Sequence, residues 1–223
     1  MRTTTLIEAE RIFDAREALA EALARDVGDE LLRAIEAKGK ATLAVSGGTT
    51  PKLFFEKLSD IDLPWTRVSV TLVDERQVPE TSERSNARLV RAHLLRNKAA
   101  AAQFVPLFDN PQAEHLPPFD VVILGMGNDG HTASFFPGGD RLSEALDSHS
   151  DQRLIEMTAP GAGEPRLTFT LPVLASAGRL ALHIEGAEKQ QVLRKALAEG
   201  PEEEMPVRAI LRSATPVTLY WCP

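Results

Sequence analysis

Residues 120–137 read DVVILGMGNDGHTASFFP, an apolar run of strand length that leads directly into a loop with three glycines. The glycines satisfy the spacing G-x-G-x-x-G, which is typical of dinucleotide binding. That motif also requires a helix opened by its third glycine and an acidic residue on a second strand about 20 residues later. Here Pro137, Gly138 and Gly139 break the chain almost at once, which disfavours the dinucleotide interpretation.

The same loop carries Asp129 and His131, two residues apart. The alternative interpretation is that these side chains are the reactive groups and that the glycines let the backbone approach a ligand. The carboxylate could orient the imidazole directly or share its site as a charge partner. His131 is therefore the best candidate for a general base. A metal site is the weaker interpretation, because the loop supplies at most two ligands and no third histidine lies nearby in sequence.

Outward from this loop, apolar runs of strand length alternate with helical patterns. The runs are 41–46, 68–73, 120–125, 179–184 and 217–221, and the helical patterns are 14–38, 51–59, 85–96, 187–199 and 207–214. Continuous apolar runs, rather than period-two alternation, indicate strands buried on both faces. The sequence therefore predicts an α/β fold with a mainly parallel sheet covered by helices on both faces. The region 153–174 is less regular and is expected to hold extra strands outside the main order.

The longest helical pattern, 14–38, repeats apolar side chains near helical spacing and predicts an amphipathic helix. Its opening Asp14-x-x-Glu17 is a candidate capping box. Gly39 is expected to end the helix.

Composition limits the classes of protein to which the chain can belong. The chain has 223 residues, 43% apolar and 26% charged, which are ordinary globular values and favour one domain, 1–223. A net charge of −7 without a long basic patch argues against a nucleic-acid surface. No apolar run has signal-peptide or membrane-span length, and Cys222 is the only cysteine, which fits a reducing compartment. We expect a cytoplasmic monomer or weak homo-oligomer that binds neither nucleic acid nor membrane.

A second strand end carries VSGGTTPKLF, residues 45–54. Two glycines and three hydroxyl residues follow the strand, and Pro51 stands where it could open a helix. Free backbone N–H groups and the helix dipole then converge on one point, which suits a phosphate. The alternative is a tight strand-to-helix turn without a ligand. The segment is not a Walker P-loop, because the closing G-K-[ST] is absent.

A third strand end is followed by Asp74, Glu75 and Arg76. Taken alone, paired acids beside an arginine indicate a salt-bridged loop. Their position at the edge of a buried-type strand favours a functional site instead. Ser85 and Asn86 are expected to begin the next helix, with capping as their structural role.

Two cations later in the chain could face the same crevice at the strand ends. Arg166 begins the apolar stretch RLTFT, and Lys189 opens a helix after a strand and a glycine. Separately each would be a surface charge, but together with the turn 46–50 they form a plausible phosphate clamp. The other histidines, including His183 within a strand, are expected to have core or surface roles.

Several of these motifs occur together, in one order, over nearly the full chain. They are SGGTTP, VDER followed by V-P and SN, the GMGNDGHTASFFPG loop, R-L-T and G-A-E-K. The set resembles the 6-phosphogluconolactonase family, and DGHTAS together with DER is its specific part. The resemblance implies a three-layer, Rossmann-like α/β fold. It also implies hydrolysis of 6-phospho-D-glucono-1,5-lactone to 6-phospho-D-gluconate, the second step of the oxidative pentose phosphate pathway, without a cofactor.

The resemblance further implies that His131 is the catalytic base and that Arg166 and Lys189 hold the phosphate. A lactone is an activated ester, so its hydrolysis needs a positioned water, a base and a donor for the developing oxyanion. Asp129 would orient His131. Arg76 or the loop N–H groups would receive the oxyanion, unless Arg76 pairs with Asp74 or Glu75. The candidate catalytic residues are Asp74, Arg76, Asp129 and His131, and the candidate phosphate ligands are Ser46, Gly47, Gly48, Thr49, Arg166 and Lys189.

Glucosamine-6-phosphate deaminases share the fold, an Asp-Glu pair and a D-G-H loop, and are the relatives to exclude. They have an acidic residue just ahead of P-G, where this chain has Phe136, and they tend to have tyrosine where this chain has Arg76. Both departures favour the lactonase. A deaminase or isomerase would use Asp74 as a base on carbon. A non-catalytic sugar-phosphate sensor would keep the phosphate clamp but need neither Asp129 nor His131.

Overall fold

The computed structural model describes residues 7–223, and within this range ten strands form two sheets. The strands are β1 (Ile7–Ile12), β2 (Ala41–Val45), β3 (Val68–Leu72), β4 (Asp74–Arg76), β5 (Gln103–Val105), β6 (Val121–Leu124), β7 (Leu154–Met157), β8 (Arg166–Phe169), β9 (Arg179–Glu185) and β10 (Val217–Cys222). Seven of them form one parallel sheet in the order β1-β10-β9-β6-β2-β3-β5.

Helices connect the strands and cover the sheet. They are α1 (Arg16–Lys38), α2 (Lys52–Ser59), α3 (Asn86–His93), α4 (Leu142–Leu146), α5 (Leu171–Ala175), α6 (Ala187–Leu197) and α7 (Val207–Leu211). Every residue of β2 and β6 is buried, although successive side chains point to opposite faces, so both faces of the sheet are covered. The predicted three-layer α/β fold with a parallel sheet is confirmed.

Two strands of the main sheet were not expected from the sequence. β1, with the sequence IEAERI, lies at one edge and is largely exposed, so it lacks the continuous apolar run that marks a buried strand. β5 lies at the other edge and has only three residues. The expectation for the N-terminus falls partly on residues 1–6, which lie outside the described residues.

The ends of several helices differ from expectation. α1 begins two residues later than predicted, its N-cap is Ala15, and no side chain caps it, so the predicted capping box is wrong. Its predicted end is confirmed: Gly39 is left-handed, with φ of 81°, and its N–H donates to the Ile35 carbonyl at 2.8 Å. The third and last helices end at His93 and Leu211, earlier than the helical patterns 85–96 and 207–214 indicated.

The predicted extra strands in 153–174 are confirmed as β7 and β8. They pair with β4 in a second, antiparallel sheet of three strands. The register of that sheet sets Arg76 directly opposite Arg166. Two cations far apart in sequence therefore become neighbours.

The carboxyl ends of β2, β3, β6 and β9 lie at one edge of the parallel sheet, because parallel strands run in the same direction. Each is followed by one of the motifs singled out above, so the fold brings those motifs together. Across residues 7–223, none of the helices has the length and apolar character needed to cross a membrane.

Candidate active site

A cavity of about 350 Å³ opens at this edge of the sheet. The segments that follow all four strands contribute to its wall. Every predicted site residue lines it except Asp129, which instead contacts the lining residue His131. The predicted residues in the wall are Ser46, Gly47, Gly48, Thr49, Asp74, Arg76, His131, Arg166 and Lys189.

The loop after β6 holds Asp129 and His131 as a hydrogen-bonded pair. Asp129 Oδ1 lies 2.6 Å from His131 Nδ1 and also accepts the His131 backbone N–H at 3.1 Å. Burial disfavours the ionised form of Asp129, but the hydrogen bonds and positive charge of His131 outweigh burial, so the pKa of Asp129 is lowered. An ionised acceptor holds the imidazole proton on Nδ1 and leaves Nε2 as the basic nitrogen.

Gly127 makes room for this pair. A Cβ atom at Gly127 would overlap the His131 ring and lie 2.5 Å from Asp129 Oδ1. The Gly127 N–H also donates to the His131 carbonyl at 2.8 Å, which closes the loop on itself. At Gly127 the space left by the missing side chain is therefore occupied by the protein's own catalytic candidates, rather than by an approaching ligand.

The Phe136 ring packs against both His131 and Arg166. Its ring is 4.3 Å from the His131 ring, centre to centre, at an angle of 31°. The Arg166 guanidinium carbon lies 5.3 Å from the centre of the Phe136 ring, a cation–π geometry. The position that an acidic residue would take in the deaminases is thus filled by a buried apolar ring.

Asp74 and Arg166 form a buried ion pair. Asp74 Oδ2 is 3.7 Å from Arg166 Nη1 and accepts the Ser134 hydroxyl at 2.6 Å. Arg166 also donates from Nε and Nη2 to the Ala162 carbonyl, at 3.2 and 2.6 Å. Burial lowers the pKa of Arg166, Asp74 opposes that effect and Arg76 adds to it. Part of the Arg166 charge is therefore already compensated before any ligand binds.

Arg76 does not form the ion pair with Asp74 or Glu75 that the sequence left open. Its Nη1 donates instead to two neutral oxygens, the Arg84 carbonyl at 2.6 Å and Asn86 Oδ1 at 2.9 Å. Its Nε is buried and has no hydrogen-bond partner among the described residues. Arg76 thus reaches the cavity wall with its charge uncompensated.

In the turn after β2, the polar groups of Ser46 bond within the protein, whereas the backbone N–H groups that follow it do not bond to any part of the chain that the structure describes. The Ser46 hydroxyl donates to the Ile123 carbonyl and accepts the Gly125 N–H, both at 3.1 Å, and the Ser46 N–H donates to Ile123 at 3.0 Å. Ser46 therefore ties β2 to β6 and has no donor left. Within the described residues, the N–H groups of Gly47, Gly48 and Thr49 have no protein acceptor. The helix expected from Pro51 begins one residue later, at Lys52, and Pro51 is its N-cap residue.

Lys189 lies in the first turn of α6 and has no ion-pair partner in the range 7–223. Burial lowers its pKa, and the negative charges of Glu188 and Asp129 oppose that effect.

Sequence reasoning missed several contributors to the cavity wall, among them Asn86, His183 and Glu185. Asn86 is a buried lining residue as well as the first residue of α3, and the expected N-cap Ser85 is confirmed by its bond from the Arg88 N–H. His183 is buried at the end of β9 and lines the cavity, with Nε2 3.2 Å from Glu185 Oε1. Its position at a strand end was the signal that could have identified it.

The protein has an α/β fold, and the cavity at its strand ends combines a histidine–aspartate pair with three cations. This combination is typical of a protein that binds a small anionic molecule. The chain belongs to the family of glucosamine-6-phosphate isomerases and 6-phosphogluconolactonases, whose model matches residues 14–221. It is 55% identical to a 6-phosphogluconolactonase of Rhizobium meliloti, over 95% of this chain and 97% of the relative. It is 45% identical to one of Pseudomonas aeruginosa, over 96% and 94% of the two chains.

Solved structures agree with the sequence relatives. The crystal structure of a 6-phosphogluconolactonase from Shewanella baltica matches with a TM-score of 0.92 at 38% identity, covering 98% of this chain and 100% of that chain. The 6-phosphogluconolactonase from Trypanosoma brucei, at 23% identity and a TM-score of 0.81, shares the fold.

Proposed function

We propose that this chain hydrolyses 6-phospho-D-glucono-1,5-lactone to 6-phospho-D-gluconate, in the oxidative pentose phosphate pathway. The observation that carries the proposal is the 2.6 Å pair of Asp129 and His131 at a cavity that Arg76, Arg166 and Lys189 also line. Relatives at 55% and 45% identity named for this activity support it. The substrate class is a sugar-phosphate lactone.

In the proposed reaction, His131 Nε2 removes a proton from a water molecule as that water attacks the lactone carbonyl carbon. Asp129 stabilises the imidazolium that forms, because its carboxylate already accepts the Nδ1 proton. The tetrahedral intermediate then collapses, the bond to the ring oxygen breaks, and the imidazolium returns its proton to that oxygen. Water is added across the ester, and no covalent intermediate with the protein is required.

The carbonyl oxygen gains negative charge during the attack and needs a preorganised donor. We assign this role to Arg76 or to the backbone N–H groups of the loop after β6. Arg76 is suited to it because its guanidinium is bound only by neutral oxygens. Asp74 would act indirectly, by holding Arg166 through their 3.7 Å ion pair.

The phosphate would bind between the turn after β2 and the cations. The N–H groups of Gly47, Gly48 and Thr49 have no protein acceptor and precede the N-terminus of α2, which is a favourable place for an anion. Lys189 and Arg166 would add charge-assisted hydrogen bonds. Ser46 would support this site structurally, since its own donors are engaged.

The broader expectations remain part of the proposal. We propose that residues 1–223 act as one domain, in the cytoplasm, as a monomer or weak homo-oligomer that binds neither nucleic acid nor membrane. The family match over 14–221 supports the single domain. The net charge of −7 supports the absence of a nucleic-acid partner.

One comparison of substrates tests the function. Purified protein is assayed for acid release from the phosphorylated lactone, with spontaneous hydrolysis subtracted, and for ammonia release from glucosamine 6-phosphate. We expect turnover of the lactone alone, because buried Phe136 replaces the acid that the deaminases place there. Ammonia release would support the deaminase alternative. Phosphate binding without turnover of either substrate would support the sensor.

A further inference from the structure

The three cations of the cavity differ in what surrounds their charges. Arg166 has a carboxylate partner, Asp74, and two hydrogen bonds to a carbonyl. Arg76 lies directly opposite it in the small sheet and follows two acidic residues in sequence, yet it pairs with neither acid. In a chain of net charge −7, an arginine beside two carboxylates that makes no ion pair among the described residues requires a structural cause.

The first part of the cause is that Glu75 is turned away from Arg76. Its carboxylate accepts the backbone N–H groups of Arg76, Asn86 and Ala87, at 2.7, 2.8 and 2.7 Å. The Ser85 hydroxyl supplies a fourth bond at 3.1 Å. Burial raises the pKa of Glu75 in spite of these four bonds. Glu75 therefore binds the start of α3 and leaves the guanidinium of Arg76 to other acceptors.

The second part is the side chain of Asn86. Its Oδ1 accepts from Arg76 Nη1 at 2.9 Å, and its Nδ2 donates to the Asp74 carbonyl at 3.0 Å. The amide is fixed against the turn after β2, because a Cβ at Gly47 would overlap Oδ1 and lie 2.6 Å from Nδ2. The neutral side chain of Asn86 thus connects Arg76, strand β4 and the turn after β2.

We propose that Asn86 is a positioning residue that holds Arg76 at the cavity wall as a cation without an ion-pair partner among the described residues. The proposal rests on the proposed function for the identity of the anion, a phosphorylated sugar lactone. A neutral acceptor fixes the direction of the guanidinium without neutralising its charge, which leaves that charge available to the ligand. A carboxylate at the same place would hold the arginine equally well and cancel its attraction for an anion.

The test substitutes Asn86 by aspartate and by alanine and measures by calorimetry the affinity for 6-phosphogluconate, whose carboxylate takes the place of the lactone carbonyl assigned to Arg76. Asn86→Asp keeps an oxygen within reach of Arg76 but adds a negative charge, so we expect affinity to fall about 10- to 100-fold. Asn86→Ala should cost less, because the guanidinium loses its support but keeps its charge. Arg91→Ala is the matched control: it changes the charge of the same helix by the same amount, breaks an exposed ion pair with Glu80 and should leave affinity unchanged.

A double-mutant cycle separates positioning from a general structural role. In the Arg76→Met background, neither substitution at Asn86 should weaken binding further, because the group on which Asn86 acts is gone. Additive losses in that background, equal losses in Arg91→Ala, or wild-type affinity in Asn86→Asp would overturn the proposal. Failure of wild-type protein to bind 6-phosphogluconate would overturn it as well. Binding without lactone turnover would instead refute the proposed function alone.

Discussion

The loop after β6 and the small antiparallel sheet reach the same cavity by opposite structural means. The loop places Asp129 and His131 by local geometry: the two side chains are two residues apart, and Gly127 leaves the space they occupy. The small sheet places Arg76 and Arg166 by strand pairing between segments 90 residues apart. One region depends on a short motif, and the other depends on the whole fold.

The difference indicates a division of labour. In the proposed mechanism the loop supplies the base, His131, whose Nδ1 lies 2.6 Å from Asp129 Oδ1. Arg166 of the small sheet and Lys189 provide positive charge, which attracts and orients an anion but performs no bond breaking. Substitutions in the loop should therefore affect kcat, whereas substitutions of Arg166 and Lys189 should affect the recognition of the phosphorylated substrate.

The largest expected effect is that of His131→Ala. Loss of a general base typically lowers the rate by about 10²–10⁴-fold, and we expect this loss in kcat. Phosphate affinity should change little, because the cations and the turn after β2 are untouched. Steady-state kinetics on the phosphorylated lactone, together with calorimetry, would measure both. Wild-type kcat in this variant would remove His131 from the mechanism.

Next in size is the combined removal of Arg166 and Lys189. Hydrogen bonds to charged groups contribute roughly 1.5–3 kcal/mol each, so the double alanine variant should lose on the order of a hundredfold in kcat/KM for the phosphorylated lactone. Unphosphorylated glucono-1,5-lactone should be hydrolysed nearly as before.

Lys189→Ala alone is the cleaner of the two single variants, because Arg166→Ala also leaves Asp74 buried without its partner. Equal losses on both lactones would mean that the cations support the fold. No loss on either lactone would place them outside the site.

Gly127→Ala is expected to have an intermediate effect, and it tests the loop without removing a reactive group. The added methyl would overlap His131 and displace the pair, and a displacement of about 1 Å at a catalytic group costs about 10²-fold in rate. Gly125→Ala is the matched control in the same loop, since its Cβ would meet only Ser46 Cβ, at 4.0 Å. Circular dichroism would check that both variants fold. Equal activity of the two variants would contradict the idea that Gly127 is needed to make room for Asp129 and His131.

The loop after β6 could be predicted from the sequence more fully than the small antiparallel sheet could. Asp129 and His131 were identified from one loop, because their partners are local. The pairing of Asp74 with Arg166 joins positions 92 residues apart and follows only from the register of β4 and β8. The contact of Asn86 with Gly47 likewise depends on how α3 packs beside the turn.

The fold shows the same limit. β2 and β6 were predicted because they are continuous apolar runs buried on both faces. β1 was missed because an edge strand with exposed charged side chains has no such pattern. Ser46 was assigned to the phosphate from its type, and its bonds to Ile123 and Gly125 depend on the neighbouring strand.

The smallest expected effect is a pH dependence of binding. Burial lowers the pKa of Lys189, so the lysine loses its charge at a lower pH than an ordinary lysine. As the pH rises through that lowered pKa, the affinity for the anionic product 6-phosphogluconate should fall several-fold. In Lys189→Arg the decline should move to higher pH, because a guanidinium stays protonated. Calorimetry with the product avoids the alkaline hydrolysis of the lactone. An unchanged profile in Lys189→Arg would exclude Lys189 as the titrating group.

The division between the two regions is tested most directly by one crossed measurement: kcat/KM of wild-type protein, His131→Ala and Lys189→Ala on the phosphorylated and the unphosphorylated lactone. Spontaneous hydrolysis is subtracted throughout. The account predicts that His131→Ala lowers kcat/KM for both lactones by the same factor. It predicts that Lys189→Ala lowers kcat/KM for the phosphorylated lactone alone. A loss in His131→Ala that is confined to the phosphorylated lactone would contradict the account, as would a loss in Lys189→Ala that is equal on the two lactones.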